Sequence, residues 1–325
     1  TTTFNTSGTT TLGSTMTGSG ALPNLNVLSG TTTLGNVAIT VNSATNITGT
    51  LTANSATGTK TFTGLVTIAS GGVFDLYTGT AYATPSGYGA GIVNNSNATD
   101  SFRAGSGTTT LIGNISGSGT GGFNFPGALT ISSGTTTNNY TAGLVTVTGT
   151  MTFTGGWTQA ASTSLKIMGN TAGAGALDAS ANTNTVEYGA SGVQTAKVAT
   201  YENLTISGTS AKTFATTPTV EGILLIQGTA TVVATSGVVT YGASATLKYD
   251  TGTSRTVTSE EWITTFNGTG GVIISNNGII TLNEAKVFGT GAPLTVESGA
   301  NFETDVTNFQ LTFGGDFINN GGTLY

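Results

Sequence analysis

The sequence, 325 residues long, has no cysteine and no histidine, five prolines, and few charges, eight basic and fourteen acidic. Each shortage excludes something. Without Cys or His there can be no disulfide, no thiolate or imidazole metal ligand, no Ser-His-Asp triad and no Cys-His dyad. The basic residues are scattered from Lys60 to Lys286 in a chain of net charge −6, so no patch forms to neutralise phosphates. Nucleic acid is therefore not an expected partner. No apolar run nears the ~18–20 residues of a membrane-spanning helix. The longest, Ile223-Leu224-Leu225-Ile226, is strand-sized, and membrane insertion is not expected. Scarcity of charge does not signal disorder here, because 37% of the residues are hydrophobic and an expanded chain relies on high net charge.

What fills the chain instead is Thr, the most frequent residue, and Gly (50), which together leave no window with the apolar spacing of an amphipathic helix. Alternation of period two is everywhere. In Val145-Thr146-Val147-Thr148-Gly149-Thr150-Met151-Thr152-Phe153-Thr154 the odd positions are mostly apolar and the even ones all Thr, which predicts one buried face and one hydroxyl face. Similar short stretches include Lys60–Thr63, Leu65–Ile68, Leu129–Ile131, Leu204–Ile206, Leu294–Val296 and Leu311–Phe313. Gly, Asn and Ser clusters separate them.

Internal similarity sets the architecture. Ser7-Gly8-Thr9-Thr10-Thr11-Leu12-Gly13 returns as Ser29–Gly35, and degenerate copies follow at Ser106–Leu111 and Ser133–Thr137. Val186-Glu187-Tyr188-Gly189-Ala190-Ser191 returns as Val239–Ser244, a separation that would hold two coils. Ile47-Thr48-Gly49-Thr50-Leu51-Thr52, Val147–Thr152 and Val220–Leu225 form a third set. Units this short cannot bury an apolar face alone and must stack on their neighbours. The expected fold is all-β, a β-solenoid of roughly 20–27-residue coils, with tandem β-sandwiches as the alternative. One continuous solenoid over 1–325 is expected, with a subdivision near 169–183, where a nearly uncharged part (1–168) gives way to a more charged one (184–325).

The stretches Asn184–Thr195 and Tyr201–Gly208, with Phe313-Gly314-Gly315-Asp316-Phe317-Ile318-Asn319-Asn320-Gly321-Gly322-Thr323, resemble the repeat-rich secreted β-solenoid surface proteins and adhesins of Bacteroidota-type bacteria. The resemblance implies export, often by the type IX route, and display as an adhesive or filamentous surface layer. It supplies no catalytic residue.

Candidate sites are few. Thr ladders on stacked coils could order water or bind glycan, although unequal coil lengths are expected to break a lattice-matched plane. Glu260 and Glu261 are neighbours and should point to opposite faces of a strand, which separates them as an acid/base pair. Glu303 and Asp305, at i and i+2, with Glu297, are the candidates for Ca²⁺, against the plainer reading of a solvated acidic face. Arg103 and Arg255 stand far apart, without the Asp-Arg-Lys-His cluster of a polysaccharide-active β-helix, so neither catalysis nor a cofactor is expected. Trp157 and Trp262 are sugar platforms or, more ordinarily, core. Lys60, Lys166 and Lys212 lie beside apolar strand residues and are candidates for Lys–Asn crosslinks, or simply exposed. The strand-like ends, Thr1, Thr2, Thr3 and Phe4 and Thr323, Leu324 and Tyr325, are candidate assembly surfaces. The expected role is an extracellular structural or adhesive protein, a fibre subunit whose partners are copies of itself and, beyond those, extracellular polysaccharide. A glycan- or ice-binding module is the alternative and a polysaccharide-active enzyme the third reading.

Overall fold

The computed structural model describes residues 2–12 (backbone), 22–35, 37–53, 58–77, 86–305 and 307–325. The protein is all-β, without a helix among the described residues, and its parallel strands stack as a β-solenoid of about 14 turns. It divides into two compact units, Thr1–Leu177 and Asp178–Tyr325.

In the first unit Thr2–Leu12 and Leu25–Leu34 are long strands, and the later turns contribute three short strands each; strands pair in parallel with those a full turn later. The first face includes Thr45–Ile47, Val66–Ile68 and Ile92–Asn94. The second includes Val73–Asp75, Phe102–Arg103, Phe123–Phe125, Leu144–Val147 and Ser164–Ile167. The third is a seven-stranded sheet from Ile39–Val41 to Thr171–Ala172. Most strands are very short because one flat side holds only two apolar residues inward and one small polar residue outward, as in buried Ile39 and Val41 around Thr40. Corners follow at once. The run Val145–Thr154 is not one strand but two, Leu144–Val147 and Met151–Phe153, on different faces, turning at Thr148-Gly149. A Cβ on Gly149 would lie 2.5 Å from the Gly127 carbonyl carbon, so only glycine lets the two corners approach this closely.

The second unit follows the same plan, with long strands at Thr200–Ile206 and Thr219–Gln227 before triangular turns such as Gly271–Ser275, Ile279–Thr281 and Lys286–Phe288. Turn length, read from strand registers, runs from the short step that aligns Thr185 with Asn203 to the long one that aligns Asp75 with Arg103. That range is wider than the sequence repeats imply.

The repeats have mixed fates. Thr9 through Leu12 pair with Thr31 through Leu34, so the first repeat is one turn. The degenerate copies are not stacked: Thr109 lies on the third face and pairs with Leu129, whereas Thr135 lies on the first and pairs with Gly156. Tyr188 and Tyr241 likewise fall in different columns, the first aligned with Ile206, the second with Val220. Every side of the triangle uses the same Thr-and-apolar vocabulary, so textual similarity marks a strand or corner without saying which.

Candidate functional site

The interior holds several of the candidate residues. Trp157 and Trp262 are fully buried, which removes them as sugar platforms. Lys60 and Lys212 are also fully buried, against the expectation of exposure, and Lys286 joins them. All three stand at inward positions at or near the start of a strand, where the corner behind exposes carbonyls that no strand partner reaches. The Lys60 ammonium donates to the carbonyls of Gly35, Val37 and Gly58 at 2.7–2.9 Å. Lys212 donates to those of Ala190, Gly192 and Thr209 at 2.6–3.2 Å. Lys286 donates to the Trp262 carbonyl and, at 2.9 Å, to Glu284. Burial pushes Lys60 down to about 8 and lowers Lys212 and Lys286 too, the last pulled back by Glu284. These ammonium groups tie adjacent turns together. Lys60 and Lys212 each reach three backbone carbonyls, and Lys166 sits half-buried on the second face.

Glu260 and Glu261 lie in a turn that Trp262 N–H closes on the Thr258 carbonyl, not in a strand. Glu261 is fully buried and pairs with Arg255. Its carboxylate also accepts from Thr258 N–H (3.2 Å), Val232 N–H (3.3 Å) and Tyr249 Oη (3.3 Å). Burial raises its pKa and Arg255 opposes the rise. Arg255 thus has a partner close by in sequence, so its distance from Arg103 does not leave it isolated. In the first unit Arg103 donates from Nε (2.9 Å) and Nη2 (2.5 Å) to both Asp75 oxygens, one turn away, and lies 5.2 Å from the Tyr77 ring centroid.

The Ca²⁺ candidates are not brought together. The strand ends at Glu303, whose carboxylate accepts from the Thr281 hydroxyl at 3.0 Å, and Asp305 has φ 71°, which breaks the alternation that would have put both on one face. Among the described residues no three acidic groups, Glu297 included, gather with metal-binding geometry.

The third face of the first unit carries one outward residue per strand: Thr40, Thr61, Gly87, Thr110, Thr130, Thr152 and Ala172. Turn length changes along this face, being longer from Thr61 to Gly87 than from Thr110 to Thr130, yet the strands stay in register without a bulge. Register along this face is thus kept across turns of unequal length.

Of the candidate ends, Thr1 lies outside the described residues. Thr2, Thr3 and Phe4 belong to strand Thr2–Leu12, which pairs with Leu25–Leu34. In the second unit three interior columns run out at one surface: Phe266–Phe288–Phe313, Val272–Leu294–Phe317 and Ile280–Phe302–Leu324. Phe313, Phe317 and Leu324 have the positions of core residues but are 40–47% exposed, and Tyr325 is 63% exposed. They surround an apolar hollow of about 210 Å³ with Leu311 at its edge. Among the described residues, strands Leu311–Phe313, Phe317–Asn319 and Thr323–Leu324 are paired on one side only. The last, which carries Thr323, lies against Asn301 and Phe302. No known protein family, curated protein or solved structure matches the chain.

Proposed function

We propose that the chain is an extracellular structural and adhesive protein, a segment of a surface fibre that grows by stacking one solenoid turn on another. The observation that supports the reading is the stacking itself, in which each turn offers the next a parallel backbone edge and an apolar interior column. A surface of this kind fits another turn of parallel strands: the backbone edge needs N–H and C=O partners, and half-covered Phe313, Phe317 and Leu324 each gain about 1 kcal/mol on full burial. Where the covering turn belongs to a second copy, the contact is head-to-tail, does not close and makes a filament. Composition agrees with the role, since a surface of Thr, Ser, Asn and Gly stays hydrated with little charge. No described helix is long and apolar enough to cross a membrane.

Electron microscopy and sedimentation velocity over a concentration series test this. Wild-type chain should lengthen with concentration and the double variant Phe317→Glu/Leu324→Glu should not; monodisperse wild type throughout rejects the assembly.

A second reading, glycan or ice binding on a flat face, is favoured by the uncharged, bulge-free third face, where Thr methyl and hydroxyl groups repeat at the ~4.8 Å spacing of neighbouring strands. Thermal hysteresis and ice-crystal shaping check the ice form of it. Absence of both at millimolar protein ends that form.

A further inference from the structure

The charged residues of the first unit are not dispersed. Lys60 is buried, while Asp75, Arg103 and Lys166 share one outward column of the second face, continued by Asn124 and Thr146 between them. Asp100 stands beside this column, its carboxylate 3.9 Å from Arg103 Nη1 and half exposed. Next to it opens a groove of about 190 Å³. The groove exists because Gly121 and Gly122 put no side chain between Asp100 on one turn and Leu144 two turns on. Asn124 and Thr146 line its side.

The floor is held with care. Gly122 N–H donates to the Tyr140 hydroxyl (2.9 Å), and its carbonyl accepts from Asn94 Nδ2 (2.8 Å). Both side chains are fully buried, and Asn94 also donates to Ser101 Oγ (2.8 Å), next to Asp100 in sequence. Asp100 itself is a non-glycine residue at φ 53°. A buried polar network is costly unless satisfied, and here it fixes both walls of an exposed groove, the arrangement that lowers the ordering cost of binding.

We infer that this groove is a binding subsite for a neutral saccharide, one pyranose ring wide. Its volume is below the ~300 Å³ floor of drug-sized pockets, which suits a single ring. Charge selects the class. Asp75 and Arg103 neutralise each other, leaving the Asp100 carboxylate to repel phosphates and uronates. One carboxylate is far from the six to eight oxygens that Ca²⁺ takes. A vicinal diol satisfies the groups present: two hydroxyls donate to Asp100, while the Asn124 amide and Thr146 hydroxyl both donate and accept. Leu144, 40% exposed, faces the apolar side of the ring. The inference is independent of end-to-end stacking, since the groove lies on a side of the first unit.

Ligand-observed NMR and calorimetry with neutral hexasaccharides of the glucan, mannan, xylan and galactan types, run on the intact chain and on Phe317→Glu/Leu324→Glu, test it and keep the two proposals apart. At least one sugar should bind both proteins. Asp100→Asn, which preserves a residue tolerant of positive φ, and Asn124→Ala should each weaken that binding tenfold or more with unchanged circular dichroism. No binding by any neutral sugar at millimolar concentration overturns the inference. So does binding that both variants retain, or binding seen only with added Ca²⁺.

Discussion

The two units build the same triangular turn but fill it differently. The first packs rings against rings: Phe62, Phe74, Tyr88, Phe102 and Phe123 follow one another with centroids 5.2–5.9 Å apart, and Lys60 is its one fully buried charge among the described residues. The second buries Lys212, Glu261 and Lys286 with Arg255 nearly so, and its tyrosines Tyr188, Tyr201 and Tyr249 are wholly enclosed. Part of the charge that distinguishes the later sequence, at Lys212, Arg255, Glu261 and Lys286, therefore does not decorate the surface. It occupies corners and turns where irregular backbone leaves N–H and C=O groups without a strand partner, and a charged side chain reaches several of them at once. Ring contacts run through both units, and the second adds buried ions to them.

The sharpest way to break this comparison is Glu261→Ala. Arg255 would remain buried without its counter-ion, and Thr258 and Val232 would lose their acceptor, a loss of about 3–5 kcal/mol. Hydrogen exchange should show the second unit opening while protection of the first is unchanged; equal loss in both would mean that the units do not unfold separately.

Alkaline titration separates them next. Burial raises Tyr188 to about 12 and holds Tyr201 and Tyr249 well above the ordinary tyrosine value. A group whose folded pKa lies above its unfolded value contributes stability that is intact below the unfolded value and is lost as pH rises, because the unfolded chain releases its proton first. For Tyr188 alone the loss approaches about 3 kcal/mol by the time its folded pKa is reached. The first unit has Tyr140 with a raised pKa. Its Lys60, lowered by burial, works the other way: folded chain carries the charge at a cost that fades as pH climbs from about 8 towards 10.5. Tyrosinate absorbance with unit-resolved exchange between pH 9 and 12 should therefore show the second unit failing first.

How far these contrasts were legible beforehand follows from what alternation can and cannot encode. Period-two stretches such as Leu129–Ile131 and Leu294–Val296 are strands as expected, and the short repeats did require stacking. Face assignment was not legible, because Thr109 and Thr135 sit in near-identical text on different sides. The buried lysines were hidden for another reason: a charge beside Phe62 or Phe214 reads as an exposed strand end until the carbonyls of a corner are seen to surround it. Glu261 was misplaced because 258–262 is a turn inside a strand-rich sequence. The groove beside Asp100 depends on two glycines one turn later and on Leu144 a turn beyond those, a juxtaposition that only the register creates.

Lys60→Met and Lys212→Met probe where the units agree. Each removes an ammonium shared by three carbonyls, and the orphaned carbonyls should cost about 1–3 kcal/mol in either unit. Thermal melts that fall by similar amounts would show one device used twice. A loss confined to one variant would show that the other's carbonyls find water instead.

The smallest expected effect concerns the asparagines that link outer corners. Asn114 accepts a bond from Thr137 N–H (2.8 Å) at an exposed corner of the first unit. Asn203 in the second accepts from Ile223 N–H (3.0 Å) and donates to the Asn184 carbonyl (2.9 Å), so it bridges three successive turns. Water readily replaces the first bond, whereas the second pair includes a partly buried partner. Asn114→Ala should change stability by no more than about 0.5 kcal/mol and Asn203→Ala should lower it by about 1–2 kcal/mol. Denaturant midpoints at constant slope resolve the difference, and equal effects would mean that the outer corners of the two units are held alike although their interiors are not.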